Sequence, residues 1–318
     1  MRINEFTSGI LLLVINYDII FCYERKAKKN TMGSHFMKNC YLFLIGGAED
    51  RKGDKFVLKH LVDQTHPDNI IIIPTASAYP RDIYRSYTDA FRDLGINEVN
   101  CLDIRHKEEA DRAENIEAIE KADMVYFGGG DQAKLVDTLI RTEFLNRIRA
   151  RFEAGDLNIA GTSAGASAIG NPIFYNGDRK GLQKGSIKSS EGLGFIDGVA
   201  IDTHFSTRKR LSRLCQFLVC GQCTKGIGLD EDTGIMVYHN LHFKVIGSGM
   251  VTVVNSANVT GSNYTAISNG EKLRFNNMRI GFLPAGSMFS IKNWSILNRA
   301  ENKNNLPKTR KASLILSI

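Results

Sequence analysis

Proline, cysteine and tryptophan are scarce in this chain: six, six and one in 318 residues. So few prolines exclude a collagen-like or proline-rich extended protein. Six scattered cysteines are too few to staple a secreted scaffold of this length, and they point to a reducing compartment and so to the cytoplasm. Only Cys220 and Cys223 have C-x-x-C spacing. A zinc site would need a second pair, or two histidines, at suitable spacing, and neither is present. The thiols therefore read as structural, and no metal or cofactor is expected. Long apolar runs are also missing, since no segment reaches the ~18 consecutive residues that span a bilayer. Residues 9–15 are apolar, but Asn16, Tyr17 and Asp18 interrupt the run, and no small-residue cleavage site of a signal peptide follows. No membrane partner is expected; a membrane-proximal anchor is the alternative for this segment. Charge of one sign is in short supply too: 41 Lys and Arg against 34 Asp and Glu leave a net +7. Much of the surplus sits in residues 26–29 and 303–311. No basic stripe with interleaved aromatics crosses the middle of the chain, so a nucleic-acid partner is not expected.

What is present is the composition of a globular protein, with 43% hydrophobic and 24% charged residues. Residues 1–36 read as an extension outside the fold, and Met37 as the start of a compact domain reaching residue 294. A basic, Asn-rich tail, 295–318, follows. Inside the domain, short apolar runs alternate with amphipathic stretches. Strands are expected at 41–45, 69–74, 98–104, 124–127 and 158–160. Helices are expected at 54–62, 84–94, 113–121 and 131–149. Fully apolar strands such as Ile70-Ile71-Ile72-Ile73, alternating with helices, indicate an α/β fold with a parallel sheet wrapped by helices. The second half turns β-rich, with strands at 198–203, 233–238, 242–246 and 249–254 and a helix at 208–218.

Ligands of such sheets bind at the carboxyl ends of the strands. Three turns there are unusual: Gly46-Gly47-Ala48-Glu49-Asp50, Gly128-Gly129-Gly130-Asp131-Gln132 and Gly161-Thr162-Ser163-Ala164-Gly165. The last fits G-x-S-x-G, a serine held on a strained strand-to-helix turn with its hydroxyl above the sheet. The Ala164 N–H points to the same place and can stabilise an oxyanion. The bare backbone of Gly129 and Gly130 can complete that hole. A serine nucleophile needs a base, and among the seven histidines His204 is the one that ends a strand and opens a polar turn. Strand alternation puts Asp202 on the same side as His204.

Taken together, Gly161-Thr-Ser-Ala-Gly-Ala166, Gly129-Gly-Asp-Gln132, Asp202-x-His204-Phe-Ser206 and Gly228-Leu-Asp-Glu-Asp232 resemble the cyanophycinases, serine peptidases related to dipeptidase E. The resemblance covers roughly residues 38–233, with Ile72-Ile73-Pro74-Thr75-Ala76-Ser77 as a further match. It implies a flavodoxin-like sandwich of the class I glutamine amidotransferase-like type, with additional C-terminal β-strands, and a homodimer. The implied reaction is hydrolysis of cyanophycin, a poly-aspartate carrying arginine on each side-chain carboxyl, into β-Asp-Arg dipeptides. Ser163 matches the family's nucleophile and His204 its general base. Gln132, Asp202, Arg208, Arg210, Arg213 and Glu231 fall on positions that line the family's substrate pocket. In the chemistry so implied, the arginines grip carboxylates and the two acids hold the substrate guanidinium. Thr203 stands where the family has Gln. The family's acid in the loop after the elbow is missing here, which leaves Asp178 as the expected third member of a triad and Glu231 as the alternative. Two other readings remain: a related aspartyl or isoaspartyl dipeptidase acting on small peptides, and a catalytically weak binding homologue.

Overall fold

The computed structural model describes residues 40–177, 181–239 and 241–297, all within the unit Met37–Ile318. In chain order the strands are β1 (Leu42–Ile45), β2 (Asn69–Ile73), β3 (Glu98–Cys101), β4 (Met124–Phe127), β5 (Asn158–Thr162), β6 (Gly170–Asn171), β7 (Ile173–Asn176), β8 (Ile187–Ser190), β9 (Ile196–Asp197), β10 (Val199–Asp202), β11 (Lys225–Leu229), β12 (Thr233–Val237), β13 (His242–Gly247), β14 (Met250–Asn255), β15 (Arg279–Pro284), β16 (Met288–Ser290) and β17 (Ser295–Ile296). The helices are α1 (Phe56–Thr65), α2 (Pro80–Asp93), α3 (Lys107–Ala110), α4 (Ala113–Glu120), α5 (Gln132–Leu139), α6 (Glu143–Ala154), α7 (Ala164–Ile169) and α8 (Leu211–Val219).

Two large sheets carry the fold, beside a two-stranded antiparallel hairpin of β7 and β8. The larger runs β17-β16-β13-β12-β1-β5-β4-β2-β3. Its β1-β5-β4-β2-β3 part is parallel, and β12, β13, β16 and β17 extend it antiparallel. This is the flavodoxin-like α/β arrangement with added C-terminal strands. The parallel strands are buried on both faces, which explains their unbroken apolar runs. Phe43, Ile45, Ile70, Ile72 and Tyr126 pack on one side with Val57 and Leu58 of α1 and Tyr87 and Phe91 of α2. Leu42, Leu44, Ile71, Val125 and Phe127 pack on the other with α5, α6 and α7.

The second sheet, β15-β14-β11-β10-β6-β9, packs against that same face. Val199, Ile201, Ile227 and Leu229 join the core around α7, every residue of which is buried. The opposite face of β10 carries Ala200 and meets Leu214, Phe217 and Leu218 of α8. Strands β10 and β11 are parallel, with Asp202 beside Gly228. Their carboxyl ends therefore leave the sheet together.

Three sequence expectations are corrected. The single helix at 131–149 is two, because Arg141 adopts a left-handed φ of 60° and Thr142 caps α6 by accepting the Leu145 N–H at 3.1 Å. The helix foreseen at 208–218 begins only at Leu211, and Arg208 and Lys209 lie in the turn before it. Ser295 and Ile296, read as the beginning of the tail, pair as β17 with Phe289 and Ser290. Among the described residues no helix is long and apolar enough to cross a membrane, and no group of His, Cys, Asp and Glu could hold a metal ion. Cys215 and Cys223 are buried and free, and burial pushes both thiols up to about 11.

Candidate active site

Ser163 sits between β5 and α7 with φ 53° and ψ −117°, a conformation costly for any residue bearing a Cβ. Its N–H donates to the Ile45 carbonyl at 2.9 Å, which pins the turn to the neighbouring strand. Both motif glycines are sterically required. A Cβ on Gly165 would lie 2.2 Å from the Phe127 carbonyl oxygen, and one on Gly161 would lie within 2.9 Å of the α7 backbone. The spacing read from the sequence therefore reflects α7 pressed onto β4 and β5.

His204 arrives from the other sheet. Strand β10 ends at Asp202, and His204 adopts φ 49° with its N–H donating to the Gly46 carbonyl at 2.8 Å. This kink swings the ring toward the elbow, where Nε2 lies 2.8 Å from Ser163 Oγ. On the far side of the ring, Nδ1 lies 2.7 Å from Glu231 Oε1. A neutral imidazole donating Nδ1–H to that carboxylate leaves Nε2 to accept from the serine. Gly47 closes over the pair: a Cβ there would stand 2.5 Å from His204 Nε2 and 3.1 Å from Ser163 Cβ.

The turn between β11 and β12 is fully committed. Asp230 accepts the Ser206 N–H at 3.0 Å and the Met250 N–H at 3.1 Å, fixing the turn that follows His204. Asp232 accepts the Asp50 N–H at 3.1 Å and the Ser248 hydroxyl at 2.8 Å. Between them Glu231 keeps its carboxylate on the histidine. Asp178 lies outside the described residues.

Burial lowers the His204 pKa below its ordinary value. The Glu231 hydrogen bond works against this, while the positive charges of Arg208 and Arg210 add to it. The ring is thus neutral near pH 7 and available as a base.

Of the expected oxyanion groups, Gly129 lies against the serine, its Cβ direction reaching 3.2 Å from Ser163 Cβ. Ala164 opens α7 directly after Ser163. A Cβ on Gly130 would stand 2.1 Å from the Ala76 carbonyl oxygen. Among the expected substrate contacts, Arg208 is exposed and Gln132 is half-buried with its Nε2 donating to the Phe174 carbonyl at 3.0 Å.

Glu231 is the acid on His204 described above, and the other four, Asp202, Thr203, Arg210 and Arg213, are corrected. Asp202 is 0% exposed, and both its oxygens are taken. Oδ2 accepts from Arg213 Nε at 2.9 Å, and Oδ1 accepts from Arg213 Nη2 at 2.5 Å, from Arg210 Nη1 at 3.3 Å and from the Thr203 N–H at 2.9 Å. Asp202 shares the α8 side of β10 with Ala200, and the kink at His204 breaks the alternation on which its placement rested. Arg210 also donates to the Thr203 carbonyl, and Arg213 to the Asn176 carbonyl. Asp202, Thr203, Arg210 and Arg213 are all buried, and this buried network ties the histidine strand to the β7–β8 hairpin.

One residue at the site carried no sequence signal of its role. Glu49 is 3% exposed, and its carboxylate accepts from three hydroxyls: Tyr87, Tyr126 at 2.7 Å and Thr162 at 2.7 Å. Burial, reinforced by the Glu49 charge, holds both phenols well above their usual pKa, so they remain donors. Glu49 thereby joins the turn after β1 to the end of β4 and to the residue preceding Ser163.

Residues 42–245 match peptidase family S51. The chain belongs to that family. It is a peptidase, a hydrolase of the serine type. The chain is 32% identical over 277 residues to the cyanophycinase of Trichormus variabilis, covering 86% of this chain and 93% of the relative. It is 32% identical over 256 residues to that of Geminocystis herdmanii (79% and 93%) and 30% identical over 258 residues to that of Synechococcus elongatus (80% and 80%). Among solved structures, a peptidase from an acI-B1 actinobacterium shares the fold of this S51 peptidase, with a TM-score of 0.59 at 24% identity over 80% of this chain and 98% of that one.

Proposed function

We propose that this S51 peptidase is a cyanophycinase that works through an acyl-enzyme on Ser163. The observation that carries the reading is the unbroken line Ser163 Oγ–His204 Nε2–Glu231 at 2.8 and 2.7 Å. The similarity to cyanophycinases supports the choice of substrate. Ser163 Oγ attacks the backbone carbonyl of a terminal aspartyl unit while His204 Nε2 takes its proton. The N–H groups of Gly129 and Ala164 receive the charge that develops on the carbonyl oxygen. Glu231 steadies the imidazolium. His204 then returns the proton to the departing amine, leaving an ester on Ser163. Water, deprotonated by the same nitrogen, cleaves the ester and frees β-Asp-Arg. Arg208, exposed beside the histidine, supplies a cation for a substrate carboxylate. Asp178 has no part in this scheme.

The test is incubation of the purified protein with insoluble cyanophycin, following clearing and dipeptide release by mass spectrometry beside Ser163→Ala. Release that disappears in the variant is expected. A folded protein that is labelled at Ser163 by a serine-reactive phosphonate, yet releases nothing, would overturn the substrate assignment and favour a dipeptidase. Absence of labelling would overturn the nucleophile.

A further inference from the structure

A groove of about 400 Å³ opens between α2 and the turn after β1, lined by Arg51, Lys52, Asp82, Arg85, Asp89 and Asp93. Asp82, Arg85, Asp89 and Asp93 follow one another at three- and four-residue spacing, so they form a stripe along a single face of α2. At 1.5 Å per residue the stripe is about 16 Å long.

The charges are not consumed by one another. Asp93 pairs with Lys55 at 3.3 Å, but among the described residues Arg51, Lys52, Asp82, Arg85 and Asp89 form no ion pair. Charges of both signs in one concavity, left unpaired, suit a ligand that itself carries both signs. The opposite wall is rigid. Asp50 accepts the N–H groups of Lys52 (3.0 Å), Gly53 (2.9 Å) and Lys55 (2.9 Å), which locks the turn that presents Arg51 and Lys52. Arg51 also lies over the Tyr87 ring, 5.0 Å from its centre.

Both walls of the groove are continuous in sequence with segments that pack around Ser163 and His204. Ile83, next to Asp82, packs 3.2 Å from the Cβ direction of Gly128, in the turn that holds Gly129 against Ser163. The wall residues Arg51 and Lys52 follow Glu49, which bonds Thr162, and Gly47, which covers His204.

We propose that this groove is a second binding site, a docking track for a zwitterionic polymer that is hydrolysed at Ser163. Resting on the substrate reading above, the polymer is a polypeptide whose side chains each end in an arginine with a free carboxylate and a guanidinium. Arg51, Lys52 and Arg85 take the carboxylates, and Asp82 and Asp89 take the guanidiniums. Extended chain advances at most ~3.6 Å per residue, so the stripe spans about four or five units. The track holds insoluble polymer near the serine between cuts and contributes nothing to a substrate too short to reach it.

The double variant Arg85→Ala/Asp89→Ala tests this, since both side chains are exposed on a helix that tolerates alanine. KM is measured on insoluble polymer and on a soluble two-unit fragment. Cosedimentation with polymer granules is measured in a Ser163→Ala background at increasing salt. The expected result is a polymer KM raised about fivefold, weaker and less salt-dependent cosedimentation, and an unchanged fragment KM. Unchanged polymer KM and cosedimentation would overturn the proposal, as would an equal loss on both substrates in a variant with unaltered melting temperature. If the parent enzyme cleaves neither substrate, the reaction assignment fails separately. Cosedimentation then decides the track: binding that weakens in the variant supports it, and absence of binding by the parent overturns it.

Discussion

Glu231→Gln is the sharpest probe of the catalytic line, because it removes a charge while keeping the shape. The amide can meet His204 Nδ1 in two ways. With its NH2 toward the ring it selects the tautomer protonated on Nε2, which cannot accept the serine proton. With its oxygen toward the ring the tautomer is right, but the imidazolium of the transition state lacks the carboxylate now 2.7 Å away. Disabling a well-buried acid of this kind costs up to about 10,000-fold in turnover. Glu231 retains 35% side-chain exposure, so water replaces part of the lost interaction. The expected fall in kcat is therefore about 100- to 1,000-fold, or about 3–4 kcal/mol at 1.36 kcal/mol per decade. Dipeptide release gives kcat and KM, and the rate of phosphonate labelling reports activation of Ser163 without substrate. Both should fall together, while Asp178→Asn retains its turnover. A Glu231→Gln enzyme keeping more than about a tenth of its kcat, beside an inactive Asp178→Asn, would refute the reasoning.

The remaining predictions concern the groups around that line. His204 must be neutral to accept a proton, and burial lowers its pKa, so kcat/KM should rise with pH through a limb below 6.5 and be lost as pH falls through it; a limb above 6.5 would count against His204 as the base. Glu231 opposes the lowering, so in Glu231→Gln the limb of the residual activity should move to still lower pH. Glu49→Ala strands three buried hydroxyls and should lower stability by about 3–6 kcal/mol in urea unfolding, whereas Glu49→Gln, which still accepts from both tyrosines, should cost less and act mainly on kcat. Asp202→Ala leaves two buried guanidiniums without their carboxylate and should destabilise by about 3–5 kcal/mol in the same assay; a change below 1 kcal/mol would show that the network is not structural.

The parallel half of the fold was legible because its strands are apolar on both faces and its turns are marked by glycine and proline. The same signals placed Ser163, since only a pressed turn requires glycine on both sides of a serine. Strand β11, which delivers Glu231, was hidden. It reads Lys-Gly-Ile-Gly-Leu, and glycines weaken any strand pattern. The structure supplies the reason: a Cβ on Gly228 would stand 2.5 Å from the Phe205 ring, so that residue must be bare for the histidine turn to lie on it. Without β11 nothing in the strand pattern carried Glu231 to His204, and Asp178 was preferred because it stands in the loop after the elbow, where the resemblance puts the family's acid. Asp202 was misplaced for a related reason, because alternation holds only inside a strand and β10 ends before the histidine. Glu49 has no motif to announce it. Its importance arises from three hydroxyls on distant elements that meet only in the folded chain.

Ser163 follows a strand of one sheet, and His204 and Glu231 each follow a strand of the other. This arrangement has a meaning during biosynthesis. Ser163 leaves the ribosome first, His204 follows 41 residues later, and Glu231 comes 27 after that, with β14 still to be added before β11 gains its antiparallel neighbour. A nascent chain, or one cut short in the second half, can form the parallel layer and even the elbow yet have nothing to activate its serine. In the proposed mechanism, peptide cleavage therefore begins only when the two layers have closed on α7. The seam between them thus acts as a built-in safety catch, released by completion of the fold itself.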